Sequence, residues 1–298
     1  MRYRHLGDSD LYISEIGFGC MSLARDAQQN KALIESAIDG GINFFDTADI
    51  YDHGQNEISV GEAIREHRQQ IVLASKVGNQ WRKDGSGLDW NPTKKHILEA
   101  IDKSLARLKT EYLDLYQLHG GTLEDPIDES IEAFETLKQQ GKIRYYGLSS
   151  IRPNVIREYI RRSGISSVMM QYSLLDRRPE ETCLELLEEK NIGVLARGTV
   201  AKGLLINKPA ENYLDYGKEE VSKMATVLKM IAGGSFSTAQ IAIQYVLARQ
   251  IVSAAVVGIR NTDQLNDALA AADSPRLGEN NLLLLKNSLI PLLYHEHR

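Results

Sequence analysis

Three ionisable side chains in the 298-residue chain each sit just past a short apolar run: Asp46 after 42–45, Lys76 after 71–75, His119 after 113–118. Side chains alternate faces along a strand. Asp46 therefore shares a face with Phe44 and Ile42, Lys76 with Ala74 and Val72, and His119 with Gln117 and Leu115. If those faces line one interior, an aspartate, a lysine and a histidine converge at its mouth, with Tyr51 on the turn after Asp46. Buried charges are costly unless they pair with one another; the bland alternative is a charge cluster that only closes the fold. The chemistry that suits the convergence is proton donation to a carbonyl oxygen during hydride transfer. A phenol is a weak acid, with an ordinary pKa of about 10. A nearby Lys76 ammonium would lower it by favouring phenolate, and Asp46 would keep that ammonium charged and placed. His119 would orient the carbonyl or share the proton transfer. The hydride must come from a cofactor, because no side chain supplies one.

Stepping along the chain, the apolar runs 16–18, 42–45, 71–75, 113–118, 143–148, 167–170, 193–196 and 254–257 alternate with segments of helical periodicity. Ile97, Ala100, Ile101, Leu105 and Leu108 make one such helix face, predicting a helix that starts at Asn91 or Thr93 with Pro92 near its first turn. Alternating strands and helices imply βαβ units and a parallel sheet. Eight units close an α/β (β/α)8 TIM barrel, and the segments 3–6 and 11–13 read as an N-terminal β-hairpin plugging its bottom. The competing open doubly wound sheet would carry GxGxxG after the first strand; residues 17–22 lack the third glycine. In a barrel, functional groups come from the C-terminal strand ends, here Gly19, Asp46, Lys76, His119, Ser149, Gln171, Arg197 and Gly258.

Composition narrows the setting. With 43% hydrophobic and 25% charged residues the chain reads as globular, not disordered. Residues 1–298 are expected to form one barrel domain, with long loops after the third and seventh strands absorbing the excess length. The longest aliphatic stretches, such as 282–285, fall far short of the roughly 20 residues of a membrane helix. No apolar stretch follows the N-terminus as a secretory signal would require. A net charge of −5 with dispersed Lys and Arg offers no basic stripe for nucleic acid. Cys20 and Cys183 form no CxxC pair and supply neither disulfide framework nor metal cage, so the expected location is the cytoplasm. His5, His67, His96, His295 and His297 lie in the hairpin, on helices or in the tail, and no metal site is expected. Trp81 and Trp90 share the loop after the third strand, as a substrate wall or as anchors of the loop. His53 reads as a rim residue.

The segment Gly41-Ile42-Asn43-Phe44-Phe45-Asp46-Thr47-Ala48, with Tyr51, Gly54, Asn56, Glu57 and Gly61, resembles the first signature of the aldo-keto reductase superfamily. Segments 113–119 and 141–149 resemble the second. The nearest resemblance is to bacterial members that also resemble potassium-channel β subunits. It implies a tetrad of Asp46, Tyr51, Lys76 and His119 with Tyr51 as general acid, and an extended nicotinamide cofactor across the barrel mouth. By the same resemblance Gly19, Cys20 and Met21 lie beside that cofactor, and Ser149, Ser150 and Gln171 meet its carboxamide. Residues 258–264, with Gly258, Arg260 and Gln264, grip its adenosine-phosphate end. Arg260 could pair with a 2′-phosphate, which favours NADPH/NADP+ over NADH. Arg197 stands where the family usually stacks an aromatic ring on the nicotinamide, and a guanidinium plane can stack in its place. Ser150 replaces a common asparagine. Gly120 follows the histidine where the family is often bulky, which enlarges the space beside His119. The insertion at 204–218 brings Lys202 or Lys208 within possible reach of a phosphate, or is a solvated loop. The expected activity is NADPH-dependent reduction of a small aldehyde or ketone to an alcohol. The alternative is a nicotinamide-binding redox sensor or regulatory subunit with slow turnover. Neither nucleic acid nor membrane is an expected partner, and a monomer is compatible with the sequence.

Overall fold

Strands β1 (Tyr3–His5) and β2 (Tyr12–Ser14) pair antiparallel ahead of the main sheet. Strand and helix then alternate: β3 (Ile16–Gly19), α1 (Ala27–Asp39), β4 (Phe44–Asp46), α2 (Gln55–Ile64) and β5 (Val72–Val77). A small side ribbon of β6 (Asn79–Trp81) and β7 (Leu88–Trp90) interrupts the pattern before α3 (Lys94–Leu108). It resumes with β8 (Leu113–Leu118), α4 (Ile127–Gln139), β9 (Ile143–Ser149), α5 (Pro153–Arg162), β10 (Ser167–Gln171), α6 (Cys183–Glu189) and β11 (Gly193–Arg197). Helices α7 (Lys218–Ala232) and α8 (Thr238–Leu247), strand β12 (Val252–Gly258), and helices α9 (Thr262–Asp273) and α10 (Glu279–Asn287) complete the chain. Residues 1–233 and 236–298 are described in this computed structural model. The eight strands β3, β4, β5, β8, β9, β10, β11 and β12 are parallel and close into a barrel, the (β/α)8 TIM fold.

The strands form because both of their faces are covered. Every residue of β3, β5 and β8 is buried, as expected of parallel strands with packed side chains inside and helices outside. Inside, Phe44, Val72, Ala74, Leu115, Met169, Leu195, Ala254 and Val256 make one apolar cluster with Leu6, Leu11 and Ile13 of the N-terminal hairpin. The hairpin therefore plugs one end. It is clamped there by buried Glu15, which accepts from Arg2 Nε at 3.0 Å and Arg4 Nε at 2.6 Å and also pairs with Arg276. The outer faces meet the helices, whose apolar stripes complete a second, larger cluster.

The strand boundaries differ from the apolar runs at their ends. Most strands run one residue further, so Gly19, Asp46, Ser149, Gln171, Arg197 and Gly258 are final strand residues instead of lying just beyond. Backbone pairing does not stop where side chains turn polar. Strand β4 starts late, at Phe44, and Ile42 packs in the outer cluster, so it does not share the interior face with Phe44 as alternation predicts. Pro92 precedes the first turn of α3; Thr93 is the N-cap, accepting from the His96 amide at 3.4 Å. The loop after the third strand contains the β6–β7 ribbon, and the 204–218 segment is partly packed, with Leu204, Leu205, Tyr213 and Tyr216 buried.

Helix α2, which follows the Tyr51 turn, lies unusually close to α3. A Cβ on Gly61 would stand 2.5 Å from the Leu108 carbonyl oxygen. Overpacking of this kind costs about 1–3 kcal/mol. Gly61→Ala is expected to lower stability by that amount in urea denaturation, by forcing α2 away from α3.

Candidate active site

The barrel mouth gathers side chains from separate strands. Asp46 ends β4, Lys76 is penultimate in β5, and His119 follows β8 directly. Tyr51 opens a tight turn, 51–54, in which Asp52 and His53 adopt left-handed φ values of 45° and 53° before α2 begins. The turn is tethered from beneath. Thr47 Oγ1 and the Asn56 amide oxygen lie 2.6 Å apart, and Asn56 Nδ2 donates to the Cys20 carbonyl at 2.8 Å.

Lys76 is the hub. Its Nζ donates to Asp46 Oδ2 at 2.6 Å, to the Thr47 carbonyl at 2.7 Å and to Tyr51 Oη at 3.4 Å. An ammonium has three protons, and these three acceptors use all of them. Because Lys76 donates to the phenol oxygen, the Tyr51 proton is directed elsewhere. Lys76 and Asp46 are both buried. Burial works against the ammonium, but Asp46 and Tyr51 together outweigh it and hold Lys76 above the ordinary lysine range. The second Asp46 oxygen accepts from Gln117 Nε2 at 3.2 Å, and Gln117 is fully buried.

The tyrosine differs from the sequence-based expectation. Its acidity is set first by burial, which raises the phenol pKa; Lys76 and Arg197 pull it down, Asp46 pushes it up, and the net direction is upward. Tyr51 is thus a protonated phenol at neutral pH. The His119 ring meets it edge-on, centroids 6.0 Å apart at 83°. Burial, then the positive charges of Lys76 and Arg197, push the imidazole pKa down to about 3. His119 is neutral at physiological pH, so it offers hydrogen bonds and not an imidazolium proton. Its Nδ1 is buried without a partner among the described residues.

The remaining strand-end residues ring this centre. Arg197 is exposed and donates to Gln171 Oε1 at 3.2 Å, while Gln171 Nε2 donates to Asp176 Oδ2 at 2.8 Å and Tyr213 Oη at 3.3 Å. The Gln171 amide is therefore already engaged at both ends. Ser149 and Ser150 are buried at the end of β9, with Ser150 Oγ accepting from the Arg152 amide at 3.2 Å. Cys20 is fully enclosed, and burial drives its thiol pKa far up. Its thiol is withdrawn from the mouth, whereas Met21 beside it is 65% exposed. At the far rim Gly258 and Arg260 are exposed, the Arg260 amide donates to Gln264 Oε1 at 3.0 Å, and α9 begins two residues on, capped by Asn261. A helix N-terminus beside an exposed guanidinium is a cradle for phosphate. A Cβ on Gly258 would come within 2.8 Å of Ser22 Oγ. Lys208 instead folds its methylenes over Gly203.

The two tryptophans divide the roles expected of their loop. Trp90 Nε1 donates to Asp125 Oδ1 at 2.8 Å, and its ring carbons lie 3.1–3.2 Å from where a Gly120 Cβ would stand. The absent side chain at Gly120 thus does not enlarge the space beside His119: Trp90 fills it. Trp81 donates to the Ile50 carbonyl at 3.2 Å and stacks on His53, centroids 3.8 Å apart, on the Tyr51 turn. Sequence reasoning missed the roles of Thr47 and Gln117, although a glutamine facing inward within an apolar strand was a signal. It also missed Asp49, whose buried Oδ1 has no partner among the described residues. Burial, then Glu57, pushes the Asp49 carboxyl up to about 8.

A family model described as the aldo/keto reductase family matches residues 15–283. A Bacillus subtilis protein named uncharacterized oxidoreductase YqkF is 50% identical over 100% of both chains. The solved holo structure of aldo-keto reductase AKR11C1 from Bacillus halodurans superposes with a TM-score of 0.95 at 46% identity, covering 100% of this chain and 99% of that one. Two more distant relatives are named for opposite cofactors. A Schizosaccharomyces pombe aldo-keto reductase, yakc, carries NADP(+) in its name and is 33% identical over 65% of this chain and 60% of its own. An Escherichia coli protein named NADH-specific methylglyoxal reductase is 30% identical over 71% of each chain.

The histidine sets a pH dependence. Its pKa is about 3 in the folded chain and about 6.5 when unfolded. Between those values the unfolded state binds the extra proton, so stability is full above about pH 6.5 and falls as the pH drops towards 3. Replacing the titrating group removes that contribution. Urea midpoints measured at pH 7 and pH 4.5 are expected to fall less for His119→Gln than for the unaltered chain.

Proposed function

Because the chain belongs to the aldo/keto reductase family of oxidoreductases, we propose that it reduces a small aldehyde or ketone to an alcohol with hydride from NADPH, Tyr51 acting as general acid. The observation that carries the reading is the saturation of Lys76. With its three protons on Asp46, Thr47 and Tyr51, the ammonium holds the phenol oxygen as an acceptor and leaves the phenol hydrogen free to point into the mouth. A substrate carbonyl oxygen placed there receives that proton from Tyr51 Oη. The negative charge then left on Oη sits against Lys76 Nζ, an electrostatic stabilisation that grows as the proton leaves. The 3.4 Å separation is long for such a contact, and catalytic hydrogen bonds commonly tighten when substrate is bound. Neutral His119 fits a positioning role. With Nδ1 shut in, the N–H that a carbonyl oxygen can reach is on Nε2. Asp46, itself held by Gln117, keeps Lys76 in place.

The residues present fit a nicotinamide dinucleotide. When bound, it supplies the hydride that no side chain can provide. The α9 N-terminus and Arg260 would hold its adenosine phosphates, and Ser149 and Ser150 its carboxamide end, joined by Gln171 through the acceptor capacity left on its Oε1. Arg197, exposed at the end of β11, presents a guanidinium plane at the mouth. Preference for NADPH rests on Arg260, since a planar fork suits a phosphate dianion. The backbone at Gly19, Cys20 and Met21 completes the near wall.

Two measurements test the reading. Tyr51→Phe is expected to lower kcat for a panel of small aldehydes by about 10²–10⁴-fold while leaving the NADPH dissociation constant unchanged. If the unaltered protein shows negligible turnover with every aldehyde yet binds NADPH tightly, the sensor reading replaces this one. Arg260→Ala is expected to weaken NADPH binding about tenfold or more, as loss of a charge-assisted hydrogen bond would, and to leave NADH binding unchanged. An unaltered NADPH preference would remove the role assigned to Arg260.

A further inference from the structure

A second cavity lies on the outer wall of the barrel, between α8, α10 and the residues after β10. It encloses ≈ 200 Å³ and is lined by Tyr172, Tyr245, Ala248, Arg249, Leu282 and Lys286. Arg249 sits where α8 hands over to β12, and its carbonyl accepts from Arg4 Nη1 of the hairpin at 3.0 Å. This corner is therefore tied to the closed end of the barrel, opposite the strand ends that carry Asp46 and Lys76.

The charge distribution there is unbalanced. Nearby arginines are paired: Arg177 with Glu180 at 2.9 Å and Arg178 with Asp176 at 2.7 Å. Among the described residues, neither Arg249 nor Lys286 has a carboxylate within 4.0 Å. Arg249 Nε is buried with no acceptor among the described residues, and a buried charged donor left unmet is costly. The carboxylate bonded to the two lining tyrosines is already satisfied. Glu180 Oε1 accepts from Tyr172 Oη at 2.8 Å and Tyr245 Oη at 2.7 Å, and Oε2 is held by Arg177 Nε and Nη2 at 3.2 Å and 2.9 Å. Burial opposes its ionisation, but these donors outweigh burial and hold Glu180 below the usual carboxylate range. Arg249 and Lys286 thus line the cavity with no free carboxylate to balance them, since Glu180 is taken up by Arg177 and the two tyrosines. The two tyrosine rings, tilted at 46° with centroids 6.1 Å apart, and Leu282 supply apolar walls.

We propose that this cavity binds a compact oxyanion, a small carboxylate or phosphate ester, between Arg249 and Lys286 and apart from the barrel mouth. A guanidinium offers such a group two parallel N–H donors, and Lys286 adds a second positive charge. At about 30 Å³ per water molecule, the volume admits one such anion with a short apolar substituent.

The test titrates the full chain with inorganic phosphate and, separately, acetate, by calorimetry at ionic strength fixed with sodium chloride. Saturable binding of one or both is expected, and the tighter of the two distinguishes a phosphate from a carboxylate ligand. In Arg249→Met and in Lys286→Gln, binding is expected to weaken at least fivefold, with unchanged circular dichroism and unchanged aldehyde turnover in anion-free buffer. Because Lys286 is half-exposed at a helix end, its variant keeps the test open if Arg249→Met fails to fold. Phosphate drawn only to the mouth would bind both variants as well as the unaltered chain. That result, or no saturable binding of either anion, overturns the proposal.

Discussion

The contact on which the site depends is the 2.6 Å pairing of Lys76 with Asp46 inside a barrel whose interior cluster is built of Phe, Val, Ala, Leu, Ile and Met. Neither charge is tolerable there alone, and removing one partner of such a pair typically costs about 3–5 kcal/mol. The surrounding geometry limits that penalty. Thr47 lends its carbonyl because β4 ends where it does, Gln117 lends its amide from the neighbouring strand at the matching register position, and the Tyr51 oxygen takes the last proton of the ammonium. The turn that carries Tyr51 is in turn fixed by Asn56 and by the close approach of α2 to α3. Fold and chemistry share this one set of contacts.

A concentration of positive charge follows from it. Lys76 and Arg197 both bear on Tyr51 and on His119, and together with burial they keep the histidine uncharged. The mouth thus pairs a phenol that retains its proton with an imidazole that does not acquire one. These opposite protonation preferences are what the proposed division of labour rests on, with Tyr51 giving the proton and His119 a hydrogen bond. The same positive field favours anions at the mouth.

Much of this was legible in the sequence, for a physical reason. A barrel strand is apolar for most of its length, so a polar residue at its end stands out, and parity alone places Asp46, Lys76 and His119 on one face. Eight runs were enough to identify the barrel, and the paired segments 3–6 and 11–13 to expect the hairpin at its bottom. What escaped were effects decided by tertiary contact. The start of β4 at Phe44 depends on what covers Ile42. The rise of the Tyr51 pKa depends on how much water the neighbours exclude, which charge counting along the chain does not report. The glycine after His119 read as empty space because its filler, Trp90, is distant in sequence.

Trp90 itself has a consequence for how this protein can change. The wall beside His119 is built by a ring delivered from the β6–β7 ribbon and anchored on Asp125. The ribbon is not part of the barrel's hydrogen-bonded sheet. Chamber shape and scaffold integrity are therefore written in different stretches of chain. Selection, or an engineer, can recut the ribbon to admit bulkier molecules while leaving the interior ladder of the barrel as it is.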